Sequence, residues 1–244
     1  MVIYAAKTAD DPDPEIPLAL GRAFKLAGLD HNWLADDNGL TSLTVVADGA
    51  RQNYIPYSNR AINWHTDGYY NSLDRQIHAL NLHCVMPAPD GGENRLMDHE
   101  MAYIQLRDEN PDYIHALMAK DVMTIPARIG KDGVIGRKEE TGPVFSVNPH
   151  TGDLHMRYTI RTQNVIWKND LLTQAALQRL ENFLEGESRY CYQGKLQSGM
   201  GLLSNNVLHD RSAFQDSDSQ KRLIYRARYY ERLAGTSVQE VYGS

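Results

Sequence analysis

Three side chains able to share one metal ion set the strongest constraint on this chain. Two of them, His65 and Asp67, lie in Asn63-Trp64-His65-Thr66-Asp67-Gly68, and the third, His209, lies far downstream in Asn205-Asn206-Val207-Leu208-His209-Asp210-Arg211. In an extended segment alternate side chains share a face, so His65 and Asp67 point the same way and can grip one ion together. The third ligand then has to arrive from a distant strand, so the two ends of the chain must fold onto each other. Taken alone the first pair is a weak signal. With nine histidines and 31 acidic residues in 244 positions, about one His-x-Asp/Glu is expected by chance. The other histidines tested, at 78, 83, 99, 115, 150 and 155, have no acid two residues on and read as surface or core groups.

The length suits one large domain, 1–244, with a full core. A net charge of −6 argues against a general nucleic-acid binder, because neutralising phosphates takes a basic surface. Any anion is therefore held locally. Cys84 and Cys191 have no CxxC spacing and read as two buried reduced thiols. Residues 1–11 lack a basic stretch followed by an apolar one, and no run approaches the ~20 apolar residues of a membrane span. The expectation is a soluble, cytoplasmic protein with no membrane partner; a homo-oligomer is left open.

Asp13-Pro14 can start a helix that Gly28 stops. Strand-like composition runs over Leu40–Val46 and Gln76–Met86, and Pro87 to Gly92 breaks the second run. Met101–Arg107 reads as helical, and Asn110-Pro111 starts a further helix through Met118. Val144–Val147 and Leu154–Thr162 flank Asn148-Pro149-His150-Thr151-Gly152-Asp153, whose residues suit a hairpin turn. Another helix is expected over Leu172–Leu184, and then strands over Gly201–Leu208 and Arg222–Glu231. Strands at both ends with helices between them suit an α+β or mainly β sandwich, a jelly roll included.

The last strand has two faces. Leu223, Tyr225, Ala227 and Tyr229 form an apolar one; Arg222, Ile224, Arg226 and Arg228 form the other. That second face is either the solvated side of an edge strand or the wall of an anion-binding cavity, since a guanidinium matches a carboxylate with two parallel hydrogen bonds. Two imidazoles and a carboxylate leave metal positions open, as a non-haem Fe(II) oxygenase needs. The same donor set serves catalytic zinc.

Taken in order, Trp64-His65-Thr66-Asp67, Leu82-His83-Cys84, Gly91-Gly92-Glu93-Asn94, Met97-Asp98, Asn206-Val207-Leu208-His209-Asp210-Arg211 and Arg222 resemble the Fe(II)/2-oxoglutarate dioxygenases of the taurine dioxygenase (TauD/TfdA) superfamily. Within it they are most similar to the butyrobetaine and trimethyllysine hydroxylase branch. The resemblance implies a double-stranded β-helix, or jelly roll, with helices packed on one sheet. It implies His65, Asp67 and His209 as ligands of Fe(II), with 2-oxoglutarate and O2 as co-substrates. It also implies Arg222 and Asn94 as contacts of 2-oxoglutarate, and Arg226, Tyr57 and Tyr69 as contacts of a small substrate. Asn94 stands where many relatives carry Thr or Ser. Arg226 and Arg228 stand where the butyrobetaine branch has a small residue and a cage aromatic, which turns the expected substrate from a cation towards an acid. A carboxylate at Asp67 favours hydroxylation over halogenation. A divalent-metal hydrolase on the same three ligands, or a non-catalytic jelly-roll binding protein, are the alternatives.

Overall fold

The structure, a computed structural model, describes residues 1–31, 35–129, 135–161 and 165–242. Two antiparallel sheets face each other as a jelly roll. The larger has five strands, in the order Val2–Ala5, Met200–Ser204, Ala79–Met86, Leu223–Tyr229 and Thr41–Leu43. The smaller has four, in the order Cys191–Gly194, Asn94–Met97, Leu208–Arg211 and Ile62–His65. Each side of the larger sheet takes one set of alternating side chains. Leu80, Leu82, Cys84, Leu202 and Ile224 pack inward with Leu96 of the smaller sheet, while Ala79, Leu203, Ala227 and Tyr229 pack outward with Leu26 and Leu40.

Helices His99–Glu109, Pro111–Leu117 and Leu171–Glu185 cover the outside of the smaller sheet. Their Ala102, Leu106, Ile114, Leu117, Ala176, Leu180 and Leu184 form one cluster with the strand residues Trp64, Met97 and Leu208. Asp98, Asn110 and Asp170 cap these helices by accepting backbone N–H groups of their first turns. A fourth helix, Glu15–Ala23, lies on the outer face of the larger sheet, where Leu18 and Phe24 join the outward cluster. Helices thus cover both sheets, three on one and the N-terminal helix on the other.

Several boundaries differ from the sequence expectation, among them those of the strand expected over 40–46, which is Thr41–Leu43, and of the one expected over 76–86, which begins at Ala79. The first helix ends at Ala23, before Gly28, because Lys25 takes a left-handed conformation (φ 60°). Gly28 instead donates its backbone N–H to the Glu231 carboxylate. The expected strand over 201–208 is two strands. Asn206, at φ 53°, turns the chain out of the larger sheet after Ser204 and into the smaller one at Leu208, so His209 lies in the opposite sheet from Gly201. The Asn148–Asp153 hairpin turn forms, closed by Asn148 N–H to Asp153 O at 2.9 Å, but its second strand stops at Met156; Thr162 lies outside the described residues. Leu223–Tyr229 lies between two neighbours in its sheet, which removes the solvated edge-strand reading of its arginines.

Both cysteines are free, Cys84 buried and Cys191 half-buried; burial pushes the Cys84 thiol up to about 12. Among the described residues, no helix is long and apolar enough to cross a membrane.

Candidate active site

The strands Ile62–His65 and Leu208–Arg211 pair so that His65 and His209 are directly opposite each other. Their imidazole rings lie 4.3 Å apart, tilted by 47°. Asp67 follows immediately beyond the strand end, with Oδ1 3.9 Å from His65 Nε2. One ligand atom from each of His65, Asp67 and His209 falls within 4.8 Å of the others, and among the described residues no further group of three His, Cys, Asp or Glu does so.

The local structure fixes each ligand. His65 Nδ1 donates to Asn63 O and His209 Nδ1 to Val207 O, both at 2.9 Å. A carbonyl only accepts, so each Nδ1 carries a proton, which leaves Nε2 as the atom a metal would take. Burial, then the nearby His209, pushes His65 down to about 3, so the ring is neutral at neutral pH. Asp67 is bracketed by Asn206, whose Oδ1 accepts the Asp67 N–H at 2.8 Å and whose Nδ2 donates to Asp67 O at 2.9 Å and to Ile77 O at 2.8 Å. The turn that follows needs a glycine. Gly68 has φ 68°, and a Cβ there would stand 2.4 Å from Ile77 Cγ1.

Burial alone would raise the Asp67 carboxyl, but Arg226, Arg228 and the two histidines outweigh it and hold the group below the usual carboxylate range. Its Oδ2 is buried with no partner. Two imidazoles that present Nε2 beside an ionised, half-satisfied carboxylate fit a divalent transition metal.

A cavity of about 490 Å³, open mouth included, adjoins the cluster. His65, His209, Asn94, Asp210, Arg211, Arg222 and Arg226 give it polar lining, and Leu43, Ile62, Leu82, Leu196 and Ile224 an apolar one. The structure thus brings six of the expected residues together: His65, Asp67, His209, Arg222, Asn94 and Arg226. Arg226 Nη1 lies 3.2 Å from Asp67 Oδ1, so this arginine is directed at the carboxylate as well as into the cavity. Arg228 turns elsewhere, into a buried pair with Asp30 and a 2.7 Å bond to Tyr70 Oη.

Tyr57 and Tyr69 are not in that lining. Tyr57 is buried in the core between the sheets with the Arg51 guanidinium 5.2 Å from its ring. Tyr69 packs edge-on to Tyr70 at 5.2 Å and gives its carbonyl to Arg157. Two residues outside the expected site set prove central to the geometry: Asn206, which the sequence reading passed over, and Arg211, read there as a surface or structural cation in preference to an anion contact. Asn206 could have been found, since Asn is the non-glycine residue that most readily takes positive φ. Arg211 is two residues from His209 on one strand, so it shares the face that carries the ligand.

The family model "Taurine catabolism dioxygenase TauD, TfdA family" matches residues 11–228. An Amycolatopsis protein named uridine-5'-phosphate dioxygenase is 30% identical over 175 residues, covering 69% of this chain and 60% of the relative. A Streptomyces protein of the same name is 28% identical, covering 77% of this chain and 68% of the relative. The chain therefore spans about 60% of the length of the first of these. Among solved structures, AAD-2 in complex with Mn(II) and N-oxalylglycine superposes with a TM-score of 0.66 at 14% identity, covering 95% of this chain and 85% of the other. The non-haem iron oxygenase OrfP, in complex with Fe and alpha-ketoglutaric acid, gives a TM-score of 0.61 at 18% identity, covering 90% and 66%. These likenesses support the jelly-roll fold.

Proposed function

The chain belongs to the taurine catabolism dioxygenase TauD, TfdA family, and from that premise we propose that it is an Fe(II)- and 2-oxoglutarate-dependent dioxygenase that hydroxylates an unactivated carbon of a small anionic substrate. The observation that carries the reading is the register: His65 lies opposite His209 with both Nδ1 atoms tied to carbonyls, and Arg222 lines the same cavity. His65, Asp67 and His209 hold the iron. Iron bound there supplies oxidising chemistry in which O2 and 2-oxoglutarate become succinate and CO2 and one oxygen atom ends on the substrate.

The residues of this chain do the rest. The buried Arg222 binds the distal carboxylate of 2-oxoglutarate as a planar fork. Asn206 keeps the Asp67 backbone in place while Arg226 holds its carboxylate in the ionised form. The apolar lining keeps bulk water from the reacting carbon.

The substrate is an anion, and a nucleoside monophosphate is the proposed class. Arg226 points into the cavity with Nε unpartnered, and the two relatives described above are named for uridine-5'-phosphate. The butyrobetaine and trimethyllysine branch takes cations, which this guanidinium would repel, so the resemblance to that branch is read as extending to the metal and keto acid half of the site. Anaerobic addition of Fe(II) and 2-oxoglutarate should give a visible metal-to-ligand charge-transfer band. In air, uridine-5'-phosphate should then raise oxygen uptake and succinate release. No band and no succinate with any of a panel of nucleotides and small acids would overturn the proposal and favour a hydrolase or a binding protein.

A further inference from the structure

The wall of the cavity holds a second arginine that the iron and keto acid chemistry does not account for. Arg211 is 4% exposed, and Arg222 is 5% exposed. Both line the cavity, and their guanidinium carbons lie 4.8 and 5.0 Å from the centre of the same ring, Phe214. Arg211 Nη2 donates to Ser58 O at 2.9 Å and to Arg60 O, but its Nε and Nη1 are buried without partners. Arg222 Nη1 is also buried without a partner, and the backbone N–H of Arg222 donates to Asp216 Oδ1 at 2.9 Å.

The neighbouring acids are engaged elsewhere. Asp210 is taken by Arg95 at 2.5 Å, and Glu93 accepts from Ser212. Two buried guanidiniums lie on one ring and, among the described residues, neither is ion-paired; Asp216, which accepts the Arg222 backbone N–H, is the acid that offsets part of this local positive charge. Asn94, expected to donate to the keto acid, already gives its side-chain nitrogen to Asp210 O at 2.8 Å.

We propose that Arg211 is a specificity-determining residue: the distal carboxylate of the keto acid binds against the paired positive charge of Arg211 and Arg222, and Arg211 makes the pocket demand a dicarboxylic keto acid. This rests on the dioxygenase reading of the same cavity. It explains why two cations are buried where one suffices for a single carboxylate, and which group supplies the favourable charge that Asn94 does not.

The test is keto acid binding to the Fe(II)-loaded protein under argon, followed by the charge-transfer band and, with Mn(II), by calorimetry. Wild type, Arg211→Gln and Arg222→Gln are each titrated with 2-oxoglutarate and with 2-oxovalerate, which lacks the distal carboxylate. Arg211→Gln should weaken 2-oxoglutarate about tenfold, the scale of one charge-assisted hydrogen bond, and change 2-oxovalerate less than about twofold. Arg211→Met, which keeps the length of the stem without the charge, decides by the same ratio if the Gln variant does not fold. A purely structural Arg211, acting through Ser58 and Arg60, would weaken both keto acids equally, and that outcome overturns the inference. So does unchanged 2-oxoglutarate affinity; if Arg222→Gln alone then loses it, the dioxygenase reading survives without this addition. A wild type that binds neither keto acid ends both.

Discussion

At Asp67, three kinds of force meet on one carboxylate: two imidazoles that want a metal, a guanidinium 3.2 Å away, and an amide that holds the backbone behind it. The amide is the least obvious and the easiest to test. Asn206→Ala removes three hydrogen bonds to buried backbone groups of Asp67 and Ile77, each group costing ~1–3 kcal/mol when left unmet. It also places alanine at φ 53°, where asparagine is better tolerated. The expected loss of unfolding free energy is about 3 kcal/mol in urea denaturation, with weaker Fe(II) binding in a metal titration. A variant within ~0.5 kcal/mol of wild type would show that the bracket is incidental.

At the scale of elements, the site depends on how one strand is clamped from behind. Trp64 and His65 are adjacent in the Ile62–His65 strand and so face opposite ways. His65 goes to the metal, and Trp64, fully buried, goes under the helices with Leu180 and Met97. Trp64→Ala should cost ~3–5 kcal/mol and also lower Fe(II) affinity, because the lost contacts position the ligand next door. Leu180→Ala in the same cluster should cost ~2–5 kcal/mol yet leave Fe(II) affinity within about twofold, since the helix carrying it holds no ligand. Equal effects of the two variants on metal binding, measured where both are folded, would refute the clamp.

The same elements show what could be read beforehand. The alternation of Leu223 to Tyr229 was plain, and so were the caps Asn110 and the turn at Asn148, because each is a local preference. Whether the arginine face of that strand met water or a cavity was not legible, since it depends on the strand's partners at Thr41–Leu43 and Ala79–Met86. Nor was the crossing between sheets at Asn205-Asn206. An apolar run continues on both sides of it, and periodicity does not register a change of sheet. That His65 and Asp67 share a face could be read from their spacing, but a pair expected about once by chance needed the ordered downstream motifs to bring in His209; the structure brings the three together. Tyr57 was expected at the substrate from the resemblance to the butyrobetaine branch, where that position is a cage aromatic; here its ring packs in the core with Leu43, Leu80 and Leu96.

Across the whole molecule, stability should depend on pH through histidines that the fold keeps neutral. Burial is the leading cause of lowered values at His65, at about 3, and at His78, His83, His99 and His155. The rings of His78 and His155 lie 4.9 Å apart, tilted by 58°, so charging one also opposes charging the other. In the unfolded chain these groups titrate near ~6.5. The folded values lie lower, so below about pH 6.5 the unfolded state binds more protons and gains on the folded one. The stabilisation is therefore fully present above that pH and is lost as the pH falls towards the folded values. Each histidine held neutral costs ~1.4 kcal/mol per pH unit in that range. Two of them together give about 3, enough to consume the ~5–15 kcal/mol of a typical domain within a few units. Urea midpoints of the metal-free protein should be level from about pH 8 to 7 and fall steeply below about 6.5. Saturating Fe(II) adds a second pull in the same direction, because protons compete with the metal for His65 and His209; the iron-induced rise in midpoint should shrink as the medium is acidified. Midpoints unchanged down to about pH 5 would mean that the folded protein takes up these protons without penalty.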